Sequence, residues 1–195
     1  MVELRSDRLE LRMLDVGDAE FVEILYANTE VTRTLLRIQR ALSTEEAREF
    51  CQKPAAECGD YRFGAALRAG GRLIAVGSVG AHTEVPGGVS IGYSVLPEYW
   101  GRGLGTELAA LLVKFAVAVL GVAEIRATTL DENPASARVL EKLGFAARGA
   151  GATEIDSRGV ERRVTRWVLD RRSARWPSSA EQRARTDRFG AGRSA

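Results

Sequence analysis

The chain contains few of the residues that bind metals or form disulfide frameworks. Its 195 residues include one histidine and two cysteines. Cys51 and Cys58 have neither a second cysteine pair nor neighbouring histidines, so their pattern fits no zinc site and no disulfide framework. We therefore predict two reduced thiols and no metal.

The sequence also lacks long apolar segments. No uninterrupted apolar run approaches the roughly 20 residues that span a bilayer, and Met1 is not followed by the basic and apolar stretches of a secretory leader. We expect a cytoplasmic protein with no membrane partner. The length suits one ordinary domain with a single core.

The net charge of +2 is distributed unevenly along the chain. Residues 171–195 contain seven arginines against two acidic residues, and they offer too little apolar surface to offset the entropy of chain ordering. We predict a globular domain at 1–172 and a disordered arginine-rich tail at 173–195. Because the rest of the chain is mildly acidic, the basic charge does not indicate a nucleic-acid partner.

Local patterns predict an α/β fold. Residues 8–12 alternate charged and apolar side chains, as a half-buried strand does, and Ser43 with Glu46 forms the capping box of a helix. Glycine turns separate the next strands. Strands are expected at 8–12, 61–68, 72–81, 89–96, 123–130, 145–148 and 160–169, and helices at 15–28, 43–54, 106–120 and 134–142. The result is a mixed, mostly antiparallel sheet of about seven strands flanked by about four helices.

Three alternate glycines precede the longest amphipathic helix. Gly101, Gly103 and Gly105 lie between a predicted strand and the helix expected from Thr106. First-turn amides of a helix lack internal partners and carry partial positive charge, so they bind anions. Arg102 adds a mobile charge and Thr106 a hydroxyl. We predict a diphosphate site here, in which a bulky side chain at Gly103 would occupy phosphate space.

Two better-known phosphate motifs do not fit these glycines. A P-loop ends in Gly-Lys-Ser/Thr, which is absent, and the dinucleotide fingerprint has the spacing G-x-G-x-x-G within a parallel βαβ unit. The strands before Gly101 are instead predicted as an antiparallel meander. Taken alone, a Gly-x-Gly pattern is more typical of an ordinary turn, so the surrounding motifs decide its meaning.

Four ordered motifs resemble the GNAT superfamily of acyl-CoA N-acyltransferases. They are DRLELR (7–12), IGY (91–93), PEYWG (97–101) and NPASARVLEKLGF (133–145). The family's central motif, Q/R-x-x-G-x-G/A, corresponds to residues 100–105, with tryptophan at its first position. Over about residues 3–170 the chain most resembles the branch that acetylates the N-termini of ribosomal proteins.

The resemblance implies direct transfer from acetyl-CoA to a primary amine held in the same cleft, beside a cofactor strand that splays from its neighbour. An amide near Val95 would stabilise the developing oxyanion, and Ser136 would protonate the departing sulfur. Asn133 is either a pantetheine ligand or only a helix cap. The implied cofactor contacts are Tyr93, Ser94, Val95, Leu96, Gly101, Arg102, Gly103, Leu104, Gly105, Thr106, Asn133 and Ser136.

The general base is the least defined part of this prediction. Ser90 and Thr128 stand where related sequences carry acidic residues, and Leu140 stands where many relatives carry a catalytic tyrosine. His82 and Glu84, at the end of the preceding strand, are the remaining candidates for the base. A lone histidine near a loop is also compatible with an ordinary surface residue.

The acceptor and the oligomeric state stay open at this point. A protein N-terminus, a small amine such as an antibiotic or polyamine, and a non-catalytic acyl-CoA-binding regulator all agree with the cofactor motifs. Acceptor contacts are expected in residues 15–45 and in a loop at 150–160. The sequence is compatible with a monomer or a homodimer.

Overall fold

A computed structural model describes residues 4–52, 60–82 and 88–170. Cys58, Glu84 and the predicted tail at 173–195 lie outside the described residues. The strands are β1 (Leu9–Met13), β2 (Asp60–Leu67), β3 (Leu73–Ala81), β4 (Val89–Val95), β5 (Glu124–Leu130), β6 (Ala146–Ile155) and β7 (Glu161–Asp170). The helices are α1 (Ala19–Ala27), α2 (Thr29–Thr32), α3 (Thr44–Gln52), α4 (Leu104–Ala118) and α5 (Pro134–Lys142).

The seven strands form one sheet in the order β1-β2-β3-β4-β5-β7-β6. Every neighbouring pair is antiparallel except β4 and β5. The mixed, mostly antiparallel α/β fold is therefore confirmed, with five helices in the described ranges rather than four. None of these helices is long and apolar enough to cross a membrane.

The predicted capping box is present. The amide of Glu46 donates to Ser43 Oγ at 3.3 Å, and the amide of Ser43 donates to a Glu46 carboxylate oxygen at 2.8 Å. Asp15 caps a short 3-10 turn that leads into α1. The single-turn helix α2 was not predicted; it begins after Asn28, whose side chain accepts from the amide of Glu30 at 2.9 Å.

The predicted end of the strand at 145–148 is wrong. β6 continues to Ile155, through most of the expected loop at 150–160, and leaves only the turn at 156–160. The strand lies at the edge of the sheet and carries two register shifts near Gly149 against β7. Because most of its residues are exposed, β6 lacks the apolar alternation by which half-buried strands are found.

Two hydrophobic cores cover the two faces of the sheet. α4 and α5 pack against one face, around Leu108, Leu112 and the buried Leu140. Helices α1 to α3 pack against the other face, around Val22, Leu25 and Ala47, among other residues. A Cβ atom at Gly77 would lie only 2.9 Å from Leu112 Cδ2, so this glycine permits the close approach of α4 to β3.

Candidate active site

β4 and β5 pair over only two residues and then separate. Val89 pairs with Ile125 and Ser90 with Arg126, and no ladder continues beyond that point. On its other side β4 pairs with β3 along its whole length. One hydrogen bond lies at each end of this ladder: the amide of Leu96 donates to the carbonyl oxygen of Ile74 at 2.9 Å, and the amide of His82 donates to that of Gly88 at 3.0 Å.

The alternation of this ladder determines which backbone groups face the opening. In an antiparallel pair the backbone groups of every second residue bond to the partner strand. The two bonds at the ends of the ladder show that in β4 the backbone groups of the even-numbered residues point toward β3. The amides of Tyr93 and Val95 therefore point away from β3, toward the separation between β4 and β5. The expected separation of the two strands therefore leaves these two amides without a backbone partner in the described part of the chain.

The side chain of Trp100 links the glycine segment at 101–105 to the end of β4. Its indole Nε1 donates to the carbonyl oxygen of Val95 at 2.7 Å. An indole N–H is a donor only, so it occupies the carbonyl of Val95 and leaves the amide of that residue available. This contact gives a structural reason for tryptophan at the first position of the glycine motif.

The head of α4 presents unpartnered amides. Within the described part of the chain, the N–H groups of residues 101–105 donate to no protein acceptor. Gly101 and Gly103 have φ angles of 73° and 78°, and Gly103 precedes α4 without a side-chain cap. The helix begins at Leu104, two residues before its predicted start. Consecutive amides at the positive end of a helix dipole fit a diphosphate.

A polar cluster ties the first turn of α4 to the start of β1. Arg8 forms an ion pair with Glu107, to which its Nε also donates at 2.6 Å, and Ser6 Oγ donates to the other carboxylate oxygen at 2.8 Å. The side chain of Glu107 is 8% exposed, whereas that of Arg8 is 47% exposed. A Cβ atom at Gly103 would lie 3.4 Å from Arg8 Nη2, so a side chain at this position would contact Arg8. It would also be strained, because the backbone of Gly103 is in the left-handed region.

Arg8→Met is expected to lower the free energy of unfolding by about 2 kcal/mol, less than for a fully buried pair, because the buried carboxylate of Glu107 loses its cation. The control is Arg5→Met, which breaks the exposed Arg5–Glu10 pair and should change stability by less than about 1 kcal/mol. Urea denaturation measures both. Equal free energies of unfolding for the two variants would show that Arg8 does not stabilise the buried negative charge of Glu107.

Tyr93 and Ser136 meet across the opening. The Tyr93 hydroxyl lies 2.9 Å from Ser136 Oγ, and either atom is able to donate. Burial raises the pKa of Tyr93 to about 12, and the hydrogen bond with Ser136 opposes that rise. The phenol therefore remains protonated at neutral pH, as a hydroxyl that orients the serine from β4.

Asn133 acts as a helix cap. Its Oδ1 accepts from the amide of Ser136 at 3.1 Å, and its Nδ2 donates to the carbonyl of Thr34 at 3.5 Å. The cap is confirmed, whereas contact with a cofactor stays a prediction. The second bond links the start of α5 to the segment after α2, which also lines the cleft.

One cleft of about 830 Å³ joins these features. Of the residues predicted from the sequence, it is lined by Tyr93, Ser94, Val95, Gly101, Gly103, Leu104, Gly105, Thr106, Asn133 and Ser136. Among the described residues, Leu96, Arg102 and His82 do not line it. Leu96 is buried in the core beside α1, Arg102 is exposed beside Tyr99, and His82 follows the far end of β3.

The other half of the cleft is lined by residues that the sequence did not single out individually, although several of them fall in the segment 15–45 where acceptor contacts are expected. Its apolar wall consists of Tyr26, Val31, Leu35, Ile38, Leu42 and Phe50. Glu49 and Asp60 line it as well, beside Arg62, which donates to the Phe50 carbonyl at 2.8 Å and lies 3.9 Å from the Phe50 ring centroid. No local sequence signal identifies this set, because α1, α3 and β2 meet only in the folded chain.

The described ranges contain no group of three or more His, Cys, Asp or Glu side chains arranged to hold an ion. The polar features of the cleft are hydroxyls, backbone amides, carboxylates and the cationic side chains of Arg37, Arg62, Arg138 and Lys142. These groups suit binding and proton transfer.

The chain matches a known family over most of its length. Residues 8–146 match the family described as Acetyltransferase (GNAT) domain. The chain is 34% identical over 151 residues to the uncharacterized N-acetyltransferase YoaA of Bacillus subtilis, covering 75% of this chain and 84% of YoaA. It is 25% identical over 152 residues to the uncharacterized N-acetyltransferase p20 of Bacillus licheniformis, covering 76% and 85%.

Solved structures share the fold at lower identity. A GNAT-family acetyltransferase from Bacillus anthracis aligns with a TM-score of 0.75 at 19% identity, over 88% of this chain and all of that one. A spermidine N-acetyltransferase from Vibrio cholerae, in complex with CoA and spermine, aligns with a TM-score of 0.75 at 21% identity, over 86% and 98%. At these identities the likeness is one of fold.

Proposed function

The chain belongs to the GNAT family of N-acetyltransferases, and we propose that acetyl-CoA and a primary amine meet where β4 separates from β5. The single observation that carries this proposal is the run of unpartnered amides at 101–105, directly beside that opening. Such amides fit the diphosphate of the donor without a lysine.

Each part of the opening has a role in this proposal. Bound acetyl-CoA supplies the activated acetyl group. The amides of Tyr93 and Val95 bind the extended arm and the thioester oxygen, which favours the oxyanion as charge develops there. As the amine nitrogen bonds to the acetyl carbon and the C–S bond breaks, Ser136, held in position by Tyr93, gives its proton to the departing sulfur and regains one from water. Positioning both reactants in one cleft supplies much of the rate.

The proton of the attacking ammonium needs a separate route. His82 follows β3, beyond the cleft lining, so as the proposed base it acts through water. Glu84 lies outside the described residues.

Two acceptors are supported by different observations. The sequence motifs resemble the branch that acetylates ribosomal protein N-termini, which favours a protein substrate. The carboxylates of Glu49 and Asp60 at the apolar half of the cleft favour a small cationic amine. Because these carboxylates lie beside an apolar wall, we favour the small amine.

Thiol release from acetyl-CoA tests the proposal. Purified protein is incubated with acetyl-CoA and, separately, with short peptides carrying free N-termini and with small primary amines. We expect CoA release above the buffer rate with small amines. If acetyl-CoA binds but no amine raises the rate, the chain is a non-catalytic acyl-CoA-binding regulator.

A further inference from the structure

Asp60 lies in the acceptor half of the cleft, on the face of the sheet that α1 to α3 cover. It pairs with Gly80 of β3, which pairs in turn with Ser90 of β4. Directly paired residues place their side chains on the same face. Because Gly80 has no side chain, the carboxylate of Asp60 leans over β3, and its Oδ1 lies 3.3 Å from where a Cβ atom of Gly80 would stand.

One oxygen of this carboxylate is held and the other is available. Oδ2 accepts from Arg62 Nη2 at 2.9 Å and from Nε at 3.3 Å. Oδ1 has no partner among the described residues. Arg62 is itself fixed by the Phe50 carbonyl and ring, so the carboxylate is oriented before any ligand arrives.

The surrounding charges leave this end of the cleft negative. Arg62 balances Asp60, and Arg126 is paired with Glu124 at 2.7 Å. Glu49 lines the same region with no ion partner in the described ranges. At the opposite end of the cleft Arg138 and Lys142 of α5 provide positive charge, so the two ends attract opposite ligand charges.

The distance from Asp60 to the opening defines the length of a ligand that reaches both. From the level of Ser90 to Tyr93 or Val95, β4 rises about 10 to 16 Å, and Oδ1 lies about one strand spacing to the side. Along this path the cleft is lined by the apolar wall beside α1 and α3 and, on the sheet itself, by Ser78 and Ser94. This arrangement matches a cation, then a run of methylenes, then a second amine.

We propose that Asp60 binds a second positive charge on the acceptor, so that the preferred substrate is an extended diamine whose far nitrogen lies about 12 Å or more from the nitrogen that is acetylated. The inference rests on the proposed acetyl transfer at the opening and adds the class of acceptor. Asp60 is then a specificity-determining residue that takes no part in the transfer itself.

The test compares 1,10-diaminodecane with 10-amino-1-decanol, which has the same length but a neutral far end. For the unaltered protein we expect kcat/KM to be about 10- to 100-fold higher for the diamine. This factor corresponds to one hydrogen bond between the Asp60 carboxylate and the far ammonium group. Asp60→Asn should reduce that ratio to about one. The ratio is internal to each variant, so it does not depend on the fraction of folded protein.

Glu45→Gln is the control variant, since Glu45 lies on α3 outside the cleft lining and pairs with Arg48; it should keep the ratio. A ratio near one in the unaltered protein, or a ratio that survives Asp60→Asn, overturns the inference while acetyl transfer stands. A preference confined to peptides carrying a lysine overturns the diamine in favour of a protein acceptor. No CoA release with any amine removes both proposals together.

Discussion

Gly105→Leu is expected to lower the affinity for acetyl-CoA by at least about 100-fold, because the new side chain covers amides that each contribute a hydrogen bond to a charged ligand. Gly105 is the second residue of α4, and a Cβ atom there meets only Val139 Cγ2, at 4.0 Å. The space above it is open cleft. Calorimetric titration with acetyl-CoA measures the change.

The same substitution should not destabilise the fold. Gly105 lies within α4, where leucine has a higher helix propensity than glycine by up to about 0.8 kcal/mol. Ala118→Leu, at the exposed end of the same helix, is the matched control and should bind acetyl-CoA normally. Normal binding by Gly105→Leu would place the phosphates elsewhere. Gly103 is the less informative site, because its φ of 78° adds backbone strain to any substitution.

Ser136→Ala is expected to lower kcat by about 100-fold, the lower limit for loss of a general acid, with little change in the KM for acetyl-CoA. The cap at the start of α5 uses the amide of Ser136 and not its hydroxyl, so the helix should remain intact. Ser157→Ala, in the turn between β6 and β7, is the control. A KM increase at constant kcat would make Ser136 a binding residue only.

Tyr93→Phe tests whether Tyr93 acts by orienting Ser136, which donates the proton in our proposal. The variant removes the hydroxyl that contacts Ser136 Oγ at 2.9 Å, and we expect kcat to fall by about 10-fold. If the two hydroxyls act as one unit, the double variant should be no slower than Ser136→Ala alone. Tyr61→Phe, whose ring packs edge-on against Phe115, controls for the loss of a phenol. Additive losses would indicate independent roles.

Much of the fold could be predicted because its signals are local. The capping box of Ser43 and Glu46, the turn at Gly70 and Gly71, and the start of α5 at Asn133 each depend on residues a few positions apart. β6 escaped prediction because its edge position leaves most side chains exposed, so burial imposes no pattern on its sequence.

The site divides in the same way. The unpartnered amides at the head of α4, which we propose bind an anion, follow from glycines next to an amphipathic helix, a feature that a short stretch of sequence contains entirely. The partner of Ser136 is 43 residues away in the chain, and the bond between Trp100 and Val95 crosses the end of a strand. Hydrogen-bond partners of this kind require the fold itself.

The sequence by itself determined the family motifs, most of the helices and strands, and the glycine segment at 101–105, since each depends on residues that are near neighbours in the chain. Only the tertiary structure decided where β4 leaves β5, which helices line each part of the cleft, and that Asp60 leans over Gly80 with one oxygen that no described residue contacts. The physical reason is that side-chain proximity across strands depends on register and sheet order, which no single segment of the chain encodes.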